Sequence, residues 1–293
     1  MVAEIINCTE IAKSLEETLK LCFDEINSKL PYGYRIKLAT FLPRESEKSK
    51  SDEESVLYRR SLKKYCDRFG IRLLAYNCYY DAKIKLENII KICNRDPFVI
   101  GELLFLPLPD NMKDVDYSNI IKFDKDVEGL SDIRVDGWKN GYSEGRIIPA
   151  TALAAVKVLE AYDYQFQGKK AVIVSRSRVF GEPLNFLLRY KGIENVVMVG
   201  KRDYDTRKDF VEEKLKEADL VFTGVPDPNY RLKGEDVKEG SIAIDITSWN
   251  LDDSLNSKCK LITSKKDPIG KITCLMLLYN LLYLVKENSS SFG

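Results

Sequence analysis

The chain contains no histidine. That absence excludes every Ser-His or Cys-His mechanism and any imidazole base. Paired cysteines are missing as well. Cys8, Cys22, Cys66, Cys78, Cys93, Cys259 and Cys274 form no C-x-x-C pair, and an odd, scattered set argues against both a disulfide framework and a zinc site. No metal is expected. Neither sign of charge is in excess: 46 Lys and Arg face 45 Asp and Glu, a net charge of +1. The balance gives no reason to expect nucleic acid or an anionic membrane as partner. A long apolar run is also lacking. The most apolar stretch, Ile272 to Val285, is short for a span and contains Thr273 and Asn280, which suits a buried helix. Met1 to Asn7 has no basic segment and carries Glu4, so no secretory or transit peptide is read there. A cytoplasmic location is expected by elimination.

What is present describes a globular protein. Its 293 residues suffice for two domains, with 44% apolar and 31% charged residues. Ile11, Leu15, Leu19 and Phe23 recur every four residues and predict a helix from about Thr9 to Leu30. Strands are predicted at Ile36–Leu42, Ile71–Tyr79 and Val99–Leu106, with helices at Ser55–Phe69, stopped by Gly70, and Ala82–Asn94. The charged, Ser-rich segment from Pro43 to Glu54 is expected to be a mobile loop, and Ile120 to Trp138 to be irregular. A helix from Pro149 to Tyr162 follows. Strands are expected at Ala171–Val174, Asn195–Val199, Ala218–Thr223 and Gly240–Ile246, helices at Phe210–Glu217 and Ile272–Glu287, and a frayed Ser-rich tail. This alternation predicts the α/β class, a parallel sheet covered by helices.

The stretch from Ala171 to Pro183 organises the rest. A β-branched strand feeds a polar turn and then a helix, which places free backbone N–H groups where a phosphate can sit. Arg176 and Arg178 add positive charge. The turn is not a G-x-G-x-x-G; its one glycine is Gly181.

Ser175-Arg176-Ser177-Arg178-Val179-Phe180-Gly181-Glu182-Pro183 resembles, without a gap, the G-R-S-x-x-V-G-x-P loop of the methylenetetrahydrofolate dehydrogenase/cyclohydrolase family. The helix Ser55 to Lys64 resembles that family's S-x-x-Y-x-x-x-K-x-K. Tyr58 matches the tyrosine that stacks on folate there, and Leu62 stands where the lysine of the cyclohydrolase step belongs. Lys63 is one residue off, about 100° round a regular helix, and Lys64 matches the second lysine. Leu104-Phe105-Leu106-Pro107-Leu108-Pro109 resembles V-Q-L-P-L-P, with Phe105 replacing the glutamine that hydrogen-bonds the missing lysine. Losing both partners of a polar pair can be near neutral, whereas losing one is costly, so the two changes read as a coherent loss of one activity. Lys125-Asp126-Val127-Glu128-Gly129 resembles K-D-V-D-G, with Glu128 at the carboxylate that pairs with the pterin ring. Pro149-Ala150-Thr151 resembles P-C-T. Lys266 to Thr273 resembles P-G-G-V-G-P-M-T, the loop bordering folate and nicotinamide, and keeps Gly270 and Thr273.

The resemblance implies two α/β domains. Residues 1–148, with a C-terminal helix at 281–293, would form the folate-binding catalytic domain. Residues 149–280 would form a Rossmann-like NAD(P)-binding domain. It also implies a homodimer and hydride transfer from 5,10-methylenetetrahydrofolate to nicotinamide, with the cyclohydrolase step lost as in the family's monofunctional branch. Substrate would meet Tyr58, Leu62, Phe105, Leu106, Glu128, Pro268, Ile269 and Gly270, with Tyr58 and Glu128 carrying the catalytic roles. The dinucleotide would meet Thr151, Ser175, Arg176, Ser177, Gly181, Lys201, Arg202, Gly224, Val225 and Thr273. The strand Asn195–Val199 runs into Lys201 and Arg202, where an NAD-selecting domain carries an acid, so NADP is expected. Asp203, one or two residues further on, keeps NAD open. Two alternatives stand beside this reading: a bifunctional enzyme using Lys63 or Lys64, and a non-catalytic folate- or nucleotide-binding protein.

Overall fold

The computed structural model describes residues 2–44, 53–78, 83–141 and 147–288. Most of the Ser-rich segment expected to be mobile, at 45–52, and the Ser-rich tail from 289 lie outside the described residues. The chain divides into two compact units. One comprises Met1–Lys13 with Pro149–Thr273, and the other Ser14–Ile148 with Cys274–Gly293.

The second of these contains strands β2 (Lys37–Pro43), β3 (Arg72–Cys78) and β4 (Val99–Leu104) in the parallel order β3-β2-β4. Strand β2 is central and buried from Leu38 onward, as its apolar run requires. Helices α2 (Glu53–Arg68) and α3 (Lys83–Arg95) connect the strands. Phe41, Leu86, Ile90 and Leu104 share one core cluster. Helix α1 (Cys8–Lys29) brings Phe23 onto Phe69, with ring centroids 5.6 Å apart. In helix α9 (Gly270–Glu287) the buried Asn280 donates from Nδ2 to the Val127 and Ile148 carbonyls at 2.8 Å each. Among the described residues, no helix is long and apolar enough to cross a membrane.

The other unit is a six-stranded parallel sheet in the order β1-β9-β8-β7-β5-β6. Its strands are β1 (Glu4–Ile5), β5 (Lys170–Val174), β6 (Asn195–Val199), β7 (Leu220–Thr223), β8 (Ile242–Asp245) and β9 (Leu261–Ile262). The chain runs from β5 outward to β6 and returns past β5 to β7. The strand order therefore reverses between β5 and β7, where open α/β sheets bind ligands beyond the carboxyl ends of their strands.

Several expectations are corrected. The segment expected to be irregular ends in helix α4 (Asp132–Lys139). Its apolar stripe is thin, with only Val135 and Trp138 buried, and Gly137 lowers its propensity. Lys201–Thr206 is helix α7, between β6 and helix α8 (Lys208–Glu217). The Asp203 carboxylate starts α7 by accepting from the Gly200 N–H at 2.8 Å. The two-residue strands β1 and β9 are too short to show alternation. Their parallel pairing, Glu4 with Leu261 and Ile5 with Ile262, joins the first residues to the later unit, unlike the 1–148 boundary. The closing segment joins the earlier unit from Cys274 rather than from 281.

Candidate functional site

Helix α2 presents Tyr58 and, one turn later, Leu62. Leu62 is fully buried. Lys63 points elsewhere, with its ammonium 2.7 Å from Asp67 in a pair that is 58% exposed on both sides. Lys64 is exposed. At the end of β4 the Phe105 N–H donates to the Phe41 carbonyl at 3.0 Å, which fixes the exit of the strand. The Phe105 ring meets Tyr58 edge-on, with centroids 6.0 Å apart and planes at 79°. Leu106 follows, half-buried.

Glu128 is placed by its neighbour. The buried Asp126 carboxylate accepts from the N–H groups of Glu128 at 3.1 Å, Gly129 at 2.9 Å and Ser131 at 2.7 Å. Burial pushes the Asp126 carboxyl up, and these donors oppose it. Gly129 has φ +67°, and a Cβ there would lie 2.5 Å from the Ile147 carbonyl oxygen, so the loop needs glycine. The Tyr58 hydroxyl is buried. Its pKa is raised well above the ordinary value by burial, then by the neighbouring Cys274 thiol and Glu128 carboxylate. Tyr58, Phe105 and Glu128 thus come together within one unit. Cys274, whose Sγ lies 4.0 Å from the Tyr58 carbonyl oxygen, joins them unanticipated.

In the other unit, helix α6 (Gly181–Tyr190) starts directly on the β5 turn. A Cβ at Gly181 would stand 2.2 Å from the Ser175 carbonyl oxygen, so this glycine serves the close approach of helix and turn. Ser175 and Ser177 link hydroxyls at 3.2 Å, and Ser177 Oγ accepts from the Phe180 N–H at 3.2 Å. The Phe180 ring covers Gly224, where a Cβ would be 2.7 Å from it, and so joins the turns after β5 and β7 at the switch point. Asn250, missed from sequence, holds the next residue: its Oδ1 accepts from Val225 N at 2.9 Å and its Nδ2 donates to Val225 O at 3.2 Å.

Beyond β6 lies a cavity of about 540 Å³ lined by Arg176, Arg202, Asp203, Thr206 and Arg207. Arg207 takes the place among the lining residues that was expected of Lys201, which is exposed at the start of α7. Arg176 donates from Nε to Asp203 at 3.0 Å and from Nη2 to the Met198 carbonyl at 2.8 Å. Arg207 donates to the other Asp203 oxygen. These bonds from Arg207 and Arg176 hold the Asp203 carboxyl far below the usual range.

Thr151 lies half-buried in the first turn of helix α5 (Ala150–Ala161). Pro268 is half-buried, Ile269 buried, Gly270 begins α9, and Thr273 Oγ1 donates to the Ile269 carbonyl at 3.4 Å. The loop before α9 is clamped instead of glycine-rich. Asp267 accepts from Thr9 N at 2.9 Å, Thr9 Oγ1 at 2.7 Å and Lys271 Nζ at 2.5 Å. Burial pushes its carboxyl up, but Lys271 and Thr9 outweigh it and hold the group below its ordinary value. A depressed carboxyl stabilises the fold above its unfolded pKa and ceases to as pH falls through the folded one. Asp267→Ala is therefore expected to cost about 1–3 kcal/mol near neutrality and much less in acid. Thermal unfolding at both pH values measures it; a cost independent of pH would contradict the assignment.

Comparison with known proteins matches both parts of the chain. Residues 6–128 match the family model for the catalytic domain of tetrahydrofolate dehydrogenase/cyclohydrolase, and residues 149–289 match the model for its NAD(P)-binding domain. A bifunctional FolD protein of Maridesulfovibrio salexigens is 30% identical over 298 residues, covering 97% of this chain and 99% of its own. A methylenetetrahydrofolate dehydrogenase [NAD(+)] of Dictyostelium discoideum is 28% identical, covering 82% and 84%. The crystal structure of the bifunctional enzyme FolD from Campylobacter jejuni superposes with a TM-score of 0.84 at 28% identity, covering 98% and 99%. The chain is an NAD(P)-dependent oxidoreductase and belongs to the tetrahydrofolate dehydrogenase/cyclohydrolase family.

Proposed function

We propose that the protein oxidises 5,10-methylenetetrahydrofolate to the methenyl form by hydride transfer to NADP and leaves the product unhydrolysed. The observation that carries this reading is the pairing of chemistry around Tyr58. One turn after it stands the buried Leu62, beside it the Phe105 ring, and the next lysine along the helix, Lys63, is engaged by Asp67. The substrate's own nitrogen lone pair drives loss of hydride, so a histidine-free site suffices. The chain supplies orientation and electrostatics.

Tyr58 offers the ring face for the folate. Glu128 accepts from the N–H edge of the pterin, with the Asp126 loop fixing its reach. Leu62 and Phe105 keep polar groups that could activate water away from the reacting carbon. The dinucleotide, when bound, supplies the hydride acceptor. The residues present fit it: the Ser175–Gly181 turn at the switch point would face its diphosphate, with Ser177, Gly224 and Val225 alongside and Thr151 and Thr273 nearer the ring. Arg176, Arg202 and Arg207 would face a 2′-phosphate. A homodimer and a cytoplasmic location belong to the same reading.

Nicotinamide reduction on adding methylenetetrahydrofolate tests it; no reduction at saturating substrate would favour a non-catalytic binder. Tyr58→Ala is expected to weaken folate binding by about 0.5–1.5 kcal/mol beyond the lost area. Glu128→Gln turns an acceptor into a donor and is expected to weaken it further, by about 1.5–3 kcal/mol. Calorimetric titration should show dinucleotide affinity unchanged in both. Variants that bind folate like the parent would refute these two roles.

A further inference from the structure

Strand β4 carries a carboxyl group inside its apolar run. Glu102 is fully buried, and neither carboxyl oxygen has a hydrogen-bond partner. Its backbone is fixed by a parallel bridge to Asp126 and by its N–H donating to the Lys125 carbonyl at 2.7 Å. Several titratable groups face it. Lys125, Lys122 and Asp124 act from the adjacent loop, and Cys93 from α3. Lys125 does not neutralise it, since that ammonium donates to the Cys93 carbonyl at 2.8 Å and the Asp96 carbonyl at 2.7 Å. Burial pushes the Glu102 carboxyl up to about 8, and the attraction of Lys125 offsets only part of this.

The side chain opens onto a cavity of about 20 Å³, lined also by Tyr117, Asp126, Glu128 and Ser131. The Ser131 hydroxyl is likewise buried, with the Asp126 carboxylate beside it and an acceptor lone pair left for a water. Leu104, Leu106, Ile121 and Leu130 form the rest of its wall, and a cavity of this size holds one water where at least two polar groups bond it. Glu102 and Ser131 supply two, and Glu128 stands on the same wall.

We propose that Glu102 is a positioning residue: as the neutral acid it donates, through one water held with Ser131, to the Glu128 carboxylate, keeping that carboxylate ionised and aimed at the N–H edge of the substrate heterocycle. The proton stays on Glu102 throughout. Once it is lost, the donor disappears and a second negative charge faces Glu128 across a low-dielectric gap, so folate affinity falls. The inference rests on Glu128 as the folate anchor.

The test is calorimetric titration with 5-formyltetrahydrofolate, a stable folate, between about pH 7 and pH 9. In the parent, affinity is expected to fall about tenfold across that range, with proton uptake on binding above about pH 8, read from buffers of different ionisation heat. In Glu102→Gln, affinity at neutrality is expected to stay within about threefold, with the pH dependence and proton uptake both gone. The same alkaline loss in the variant overturns the proposal. Should the variant fold poorly, the parent's proton count decides: uptake supports the proposal and no uptake overturns it. A parent that binds no folate at any pH overturns the Glu128 reading, and this inference with it.

Discussion

Methenyltetrahydrofolate supplied to this protein is expected to hydrolyse no faster than in buffer, under conditions where methylenetetrahydrofolate is oxidised. A positioned acid or base contributes roughly 10²–10⁴-fold to a step that needs proton transfer, so its absence leaves little. The position one turn beyond Tyr58 holds Leu62 at 0% exposure, and the ring of Phe105 fills the space beside Tyr58. Lys63 and Lys64 are the rivals. Lys63 lies on the exposed face in an i,i+4 pair with Asp67, and Lys64 is exposed too. Neither can serve without turning the helix. Enzyme-dependent hydrolysis at a rate comparable to dehydrogenation would overturn the expectation. Leu62→Lys alone places a charge without a partner in the core and is expected to cost about 3–5 kcal/mol in denaturant unfolding. Adding Phe105→Gln supplies an acceptor and should recover part of that cost.

The sequence made legible whatever is decided locally. Strand β6 falls at Asn195–Val199, as its run of valines with Met198 predicts, and α2 and α9 fall within two residues of their expected bounds. What it hid depends on distant partners. Strands β1 and β9 exist because each pairs with another strand in the sheet. Helix α7 is six residues long and begins on the Asp203 cap, with no apolar stripe to announce it. Missing α7 also hid Arg207. Its spacing of four from Asp203 brings the two side chains together only once the backbone is helical. Asn250 could not be found from motif spacing, since it meets Val225 across 25 positions. Glu102 did leave a signal, a lone charge within the apolar β4, and a charge in such a run asks for a partner or a function.

Cofactor choice follows from the same Asp203. Catalytic efficiency is expected to favour NADP over NAD by at least about tenfold, and Arg202→Ala and Arg207→Ala should each remove about tenfold to a hundredfold of it, in line with about 1.5–3 kcal/mol for a hydrogen bond to a charged group. Use of NAD should change by less than about twofold, since an uncharged 2′-hydroxyl draws little from either guanidinium. At the end of the second strand of a dinucleotide domain, an acid ordinarily accepts from the ribose and selects NAD. Here Asp203 is already engaged. One oxygen accepts from Arg176 Nε at 3.0 Å and Gly200 N at 2.8 Å, and the other from Arg207. The carboxylate thus holds two guanidinium groups on the wall of the cavity. Asp203→Ala separates the two accounts. If Asp203 anchors the arginines, the variant loses NADP efficiency along with some stability, while NAD efficiency per folded molecule is kept. If it accepts from the ribose, NAD efficiency falls and the balance moves further towards NADP. Steady-state rates with both dinucleotides decide between them, and a parent enzyme that prefers NAD would refute the reading outright.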